Sequence, residues 1–183
     1  MGKWTEPAAV ADLLDANHYL GASRRGLAWL DEFGVIVIAK PTSRRLPLDW
    51  LELTRWCITS REENAGSRQW SKFRRALVEK FPEATTVISY SDPSVGHTGA
   101  LYRACNWLWA PTWHRLRPPP TGLGSWRSGV KQSVKDRWVF PLRPDHRRVE
   151  ILMLDDSSIL KRKPWAAFIE GRGADYKVFK ASI

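Results

Sequence analysis

The chain of 183 residues carries 29 Lys and Arg against 19 Asp and Glu, a net charge of +10, with 43% hydrophobic and 26% charged residues. This suits one globular domain over 1–183 that can bury a core, and it excludes a membrane-spanning chain: the longest apolar run, Val35 to Ala39, falls far short of the roughly 20 residues a spanning helix needs. Two cysteines without paired spacing, Cys57 and Cys105, exclude a disulfide framework or zinc cage and point to a reducing cytosol, and no apolar signal segment precedes the first element.

The first predicted element is a helix. Thr5 serves as N-cap, Pro7 lies in the first turn where its missing donor is harmless, and Val10, Leu13 and Leu14 recur at helical spacing. It ends near Asn17-His18-Tyr19-Leu20-Gly21. Gly26 to Leu30 and the β-branched run Val35 to Ala39, joined by Asp31-Glu32-Phe33-Gly34, predict a hairpin. Trp50 to Ile58 alternates polar and apolar and predicts a strand. A loop from Thr59 to Gly66 leads to a helix with Ser67 as cap. Trp70, Phe73, Leu77 and Phe81 form its apolar stripe, Arg68, Lys72 and Arg75 face away, and Pro82 stops it.

Thr85 to Tyr90 predicts a central strand, apolar on both faces at its start. A turn over Ser91 to Gly96 precedes a helix from about His97 to Cys105. Pro118-Pro119-Pro120 and the Gly/Ser cluster to Gly129 read as a loop, and Lys135 to Leu142 as a last strand. Residues 143–183 form a basic C-terminal extension with one largely apolar run, Val149 to Leu154. The element order predicts an α/β (α+β) domain, a mixed sheet flanked by helices.

Charge is unevenly placed. Residues 1–113 carry 14 Lys/Arg against 12 Asp/Glu, or +2, and residues 114–183 carry 15 against 7, or +8. Such a field suits a polyanion, with a solubilising surface as the alternative. Trp107, Trp109, Trp113, Trp126 and Trp138 lie among these cations, where rings could stack on an unpaired base or simply fill the core.

Two segments carry chemistry. Arg61-Glu62-Glu63-Asn64-Ala65-Gly66-Ser67 opens a helix, where backbone donors and the positive dipole end face an anion; an ordinary cap is the alternative. Asp92 stands just past a buried strand, where open α/β sheets place ligands, although Asp-Pro is also a common turn pair. Gly96 and Gly99 leave room for close approach, and Tyr102 points back toward the strand end or packs as a half-buried aromatic. His18 could act as base or metal ligand, or merely pack at a helix end. His97 caps its helix or shares in the chemistry. Arg55 could reach substrate or phosphate, with Glu52 as its salt-bridge partner on the other reading. His114 and His146 read as surface residues.

The stretch Ser89-Tyr90-Ser91-Asp92-Pro93-Ser94-Val95-Gly96-His97-Thr98-Gly99-Ala100-Leu101-Tyr102-Arg103-Ala104-Cys105-Asn106-Trp107 resembles the signature of phage Mom-type DNA-modification proteins, Ser-Tyr-Ala-Asp-x-x-x-Gly-His-Thr-Gly-x-x-Tyr-Arg-Ala-x-Asn-Trp. His18-Tyr19 after the first helix and Glu52-Leu53-Thr54-Arg55 resemble two further elements of that family, so the resemblance covers residues 17–107. Leu101-Tyr102 also parallels a Leu-Tyr pattern of GNAT acyltransferases, whereas 61–67 departs from their Arg/Gln-x-x-Gly-x-Gly/Ala loop.

The resemblance implies a GNAT-like, mixed and mostly antiparallel central sheet. It implies a phage-encoded enzyme of the host cytoplasm that adds a small acetamido-type group to the exocyclic amine of adenine in double-stranded DNA, shielding it from restriction. The catalytic set it implies is His18, Tyr19, Arg55, Asp92 and Tyr102, with Tyr102 as an acid toward a departing thiolate. Arg61, Asn64, Gly66, Ser67 and Tyr102 would hold acetyl-CoA or a related thioester. Iron is a further candidate cofactor, with His18 and Asp92 as ligands. Phosphate contacts fall to Arg103, Arg115, Arg117, Lys131, Lys135, Lys161, Arg162 and Lys163, and a homodimer is open. Two alternatives stand beside this: an acetyltransferase for a protein or small-molecule amine, and a non-catalytic nucleic-acid-binding module.

Overall fold

A computed structural model describes residues 2–43, 46–110 and 135–142. Its strands are β1 (Lys3–Thr5), β2 (Leu27–Asp31), β3 (Gly34–Ala39), β4 (Trp50–Ile58), β5 (Thr86–Ser91), β6 (Leu108–Ala110) and β7 (Asp136–Pro141). The α-helices are α1 (Ala11–Asn17), α2 (Ala65–Lys80) and α3 (Ala100–Ala104). The strands form one seven-stranded sheet in the order β1-β2-β3-β4-β5-β7-β6. Neighbours are antiparallel except β4 and β5, which run parallel with α2 as their crossover. A mixed, mostly antiparallel sheet flanked by helices is therefore the architecture. No helix among the described residues is long and apolar enough to cross a membrane.

Burial on both faces explains the sequence of β3. Val35 and Val37 pack with Val10 and Leu14 under α1, whereas Ile36 and Ile38 pack with Trp70, Phe73 and Leu77 of α2. A strand covered on both sides needs a continuous apolar run, which Gly34–Ala39 supplies. The apolar stripe of α2 is the 3.6-residue spacing of Trp70, Phe73 and Leu77 turned onto the sheet.

Local expectations fail at three places. Thr5 does not cap a helix: it pairs with Ala28 as the last residue of β1, and Pro7–Val10 forms a 3-10 turn before α1. Ser67 is not the cap of α2, which begins at Ala65 after Asn64 in a left-handed conformation (φ 58). The helix expected from His97 is only Ala100–Ala104, because Gly96 and Gly99 hold positive φ (84 and 73) and break the helical path before it. Edge strands β1 and β6 were not anticipated; three residues each are too few to show an alternating pattern.

One irregularity positions the site. In the β3–β4 ladder Ile38 pairs with Leu53 but Val37 pairs with Arg55, so Thr54 is an extra, bulged residue. Before it, Leu51 and Leu53 face the α2 layer; after it, Trp56 does, while Cys57 joins the α1 layer. A bulge also bends its strand, and the parallel pairing of β4 with β5 ends at Leu53–Ser89, immediately before it. Beyond that point β4 pairs with β3, and β5 with β7. The sheet opens there as a notch.

Candidate active site

Ser89 marks the apex of the notch. Its Oγ donates to the Leu53 carbonyl at 3.0 Å and lies 2.8 Å from the Tyr102 hydroxyl. Tyr102 descends from α3 and stacks on Trp138 of β7 at 5.2 Å, with Trp56 and Trp107 edge-on at 5.7 and 5.3 Å. Burial in this aromatic nest pushes its phenol up to about 12, against the opposing effect of the Ser89 hydrogen bond. Tyr102 is thus a protonated donor at neutral pH.

The nest is fixed from beneath by a buried polar relay. The Trp56 indole donates to Gln69 Oε1 at 2.9 Å, and Gln69 Nε2 donates to Asp31 Oδ1 at 3.0 Å. Gln69 is fully buried on the apolar stripe of α2. Its spacing from Phe73 and Leu77 was the available signal: a polar residue on an apolar face needs a partner.

Alternation along β5 sends Ser89 and Ser91 to the α2 side and Tyr90 and Asp92 to the α1 side. Asp92 is buried at 4% exposure. Its Oδ1 accepts from the Ser94 amide at 3.0 Å and the Ser94 hydroxyl at 2.6 Å, so the Asp-Pro turn and the buried carboxylate are one device. Around it stand His18, Tyr19 and His97. Tyr19 stacks on His18 at 5.0 Å and meets the edge of His97 at 4.8 Å, while remaining 43% exposed. Burial and then the Asp92 carboxylate push the Tyr19 phenol upward, with Arg55 opposing.

His18 is held neutral. Desolvation, then the charge of Arg55 and the neighbouring His97 ring, lower it to about 4. Its Nδ1 accepts the Leu20 amide at 3.2 Å, leaving the proton of the neutral ring on Nε2. In this geometry the neutral His18 ring keeps a hydrogen-bond donor at Nε2. His97 Nδ1 likewise faces the Asp92 amide, at 3.5 Å.

Arg55 does not reach for Glu52. Glu52 accepts from the Thr42 amide at 2.8 Å and lies 3.9 Å from Arg25, whereas the Arg55 guanidinium donates to the carbonyls of Gly21 and Thr54 at 2.7 and 2.8 Å.

The residues expected to hold a cofactor divide. Gly66 is buried, and a Cβ there would strike the side chains of Leu101 and Ile58, so its glycine serves the packing of α2 against α3. Ser67 bonds Cys105, whose thiol burial pushes up to about 11. Arg61 and Asn64 are exposed before the first turn of α2, which itself carries no acidic side chain. Among the described residues no group of three or more His, Cys, Asp or Glu side chains could hold a metal.

Among the expected DNA contacts, Arg103 lies over the Trp138 ring at 5.8 Å and Lys135 stands half-buried before β7. Arg115, Arg117, Lys131, Lys161, Arg162 and Lys163 fall outside the described residues, as do Trp113, Trp126 and the extension at 143–183. Trp107 and Trp138, at 0% and 2% exposure, are core and cannot stack on a base. Ser89 and Ser94 were not singled out from sequence, although both lie within the matched stretch.

Comparison with solved structures finds a Bacillus subtilis acetyltransferase in complex with CoA, 17% identical, TM-score 0.48, covering 78% of this chain and 98% of that one. It also finds the Escherichia coli ribosomal-protein-S18-alanine N-acetyltransferase, 12% identical, TM-score 0.47, covering 78% and 94%. At these scores no functional conclusion rests on them. No curated protein sequence matches significantly. The Mom protein family matches residues 5–117, more than half of the chain, a span that holds the notch, both of its flanks and every side chain of the cluster except Trp138. By that match the chain belongs to the Mom protein family.

Proposed function

We propose that this protein converts the exocyclic amine of adenine in double-stranded DNA into an acetamido-type group by acyl transfer from a thioester carrier, the amine nitrogen bonding the acyl carbon as the C–S bond breaks. The observation that carries the reading is the two-sided notch. A buried carboxylate and a neutral imidazole stand on one side, a protonated phenol on the other, and the parallel strands diverge between them. Membership of the Mom protein family supports DNA as the substrate class, and the +8 carried by residues 114–183 suits phosphates.

A CoA-type thioester, when bound, supplies an activated acyl carbon and a thiolate leaving group. The residues fit such a carrier: the β4–β5 pairing ends at Leu53, and the first turn of α2 after it carries no acidic side chain to repel a phosphate. Tyr102 holds its proton at Oη until a leaving thiolate can take it. Asp92 receives the proton of the incoming amine, and His18 Nε2–H orients that amine or the carbonyl it approaches. An adenine amine is delocalised into its ring and paired within the duplex. The base must leave the stack, at about a few kcal/mol, and be held with accuracy. The exposed ring of Tyr19 borders the cleft it would enter.

The test is direct. Plasmid DNA from a bacterium expressing the protein, digested to nucleosides, should contain a heavier deoxyadenosine by mass spectrometry, absent with Asp92→Ala. Unmodified nucleosides from a folded, well-expressed protein would overturn the reading; CoA binding in that case would point to an acetyltransferase for another amine.

A further inference from the structure

We propose that Arg55 is a positioning residue whose guanidinium straps the segment 18–22 against the bulge of β4 and so sets where His18 and Tyr19 stand at the notch. Its Nε donates to the Gly21 carbonyl at 2.7 Å, Nη2 to the carbonyls of Ala22 at 3.3 Å and Leu20 at 3.5 Å, and Nη1 to Thr54 at 2.8 Å. Three consecutive carbonyls of a loop more than thirty residues away are thus joined to the carbonyl of the bulged residue itself.

The geometry depends on both partners. Gly21 has φ 60, a left-handed turn that brings three successive carbonyls toward one group, and a Cβ there would press on Asp15 Oδ1 at 2.6 Å. The bulge at Thr54 inverts the facing of β4, which directs Arg55 to the α1 side where this loop lies. Four further hydrogen bonds of the segment are local: His18 N to the Leu14 carbonyl at 2.8 Å, Gly21 N to the His18 carbonyl at 2.7 Å, Leu20 N to His18 Nδ1 at 3.2 Å, and Ala22 N to Asp15 Oδ1 at 2.7 Å. They shape the loop and tie it to α1, which is itself short at seven residues. Arg55 ties it to the sheet. A planar guanidinium offers several donors in a rigid fork; a lysine ammonium is one point and cannot span the same carbonyls. With the loop so held, the Leu20 amide keeps its bond to His18 Nδ1, which leaves the ring proton on Nε2.

The structural part of this inference is independent of the proposed reaction, and its kinetic part rests on it. Hydrogen–deuterium exchange on the full chain compares wild type with Arg55→Lys and Arg55→Met. Amides of 18–22 should exchange about tenfold faster or more in both variants, with α2 unchanged. DNA modification should lose kcat while KM for DNA holds. Unchanged exchange over 18–22 in both variants overturns the inference. So does a lysine variant that restores wild-type exchange and rate, or a rise in KM for DNA alone, since each makes Arg55 a charge aimed at substrate. Should the methionine variant fail to fold, the lysine variant decides by the ratio of exchange in 18–22 to that in α2. If wild type modifies no DNA, the function fails while the exchange ratio still decides the strap.

Discussion

The two flanks of the notch are built on opposite plans. On the α2 side Tyr102 is enclosed by Trp56, Trp107 and Trp138, with Trp70 and Phe140 packed beyond them. On the α1 side His18, Tyr19, His97 and Asp92 are gathered from two loops, and the Tyr19 ring is 43% exposed. One flank holds a phenol by shape, the other holds a carboxylate and an imidazole by hydrogen bonds and a guanidinium strap. The difference teaches that rigidity comes from packing where a side chain can be surrounded, and from directed polar contacts where the site must stay open to a large substrate.

The largest expected effect breaks the packed flank. Trp107→Ala removes a fully buried ring that touches Trp70, Tyr102 and Phe140, and should lower unfolding free energy by about 3–5 kcal/mol in a denaturant titration. That is a large part of the roughly 5–15 kcal/mol of a typical domain. A loss below about 1 kcal/mol would show that the nest is not the rigid side.

Tyr102→Phe sharpens the comparison by keeping the ring and removing the hydroxyl. Ser89 still donates to Leu53, so stability should change by no more than about 1 kcal/mol. The rate of deoxyadenosine modification should nevertheless fall by about a hundredfold, within the range of one positioned proton donor. Equal losses of stability and rate would make the hydroxyl a packing feature only.

The smallest effect probes the polar flank through pH. An unfolded histidine titrates near 6.5, whereas folded His18 waits until about 4. Between those values the unfolded chain binds the extra proton, so stability falls as pH drops from about 6.5 to about 4 and is unaffected by this group above that window. The slope should stay under about 1.4 kcal/mol per pH unit, because one ring takes up at most one proton. His18→Gln should flatten it in thermal melts across the window; an unaltered slope would place the titration elsewhere.

Much of the frame was legible from local pattern. The continuous apolar run of β3, the alternation of β4 and the stripe of α2 each appear where periodicity placed them, within a residue or two at their ends. Asp92 and Tyr102 fall where a strand end and the following helix suggested. Arg55 was legible as a functional position but not in its direction. Its three partners in the loop lie 33 to 35 residues away, and the bulge that turns it toward them is visible only in the pairing of two strands. Gly66 was read as room for a ligand and is room for Leu101.

The sequence alone therefore determined which segments are strands and helices and which short stretch carries the reactive groups, because those depend on side chains a few positions apart. Tertiary structure decided the edge strands, the opening between β4 and β5, and which partner each polar group takes. Those outcomes are set by strand register and by atoms that approach through space, and no local preference encodes them.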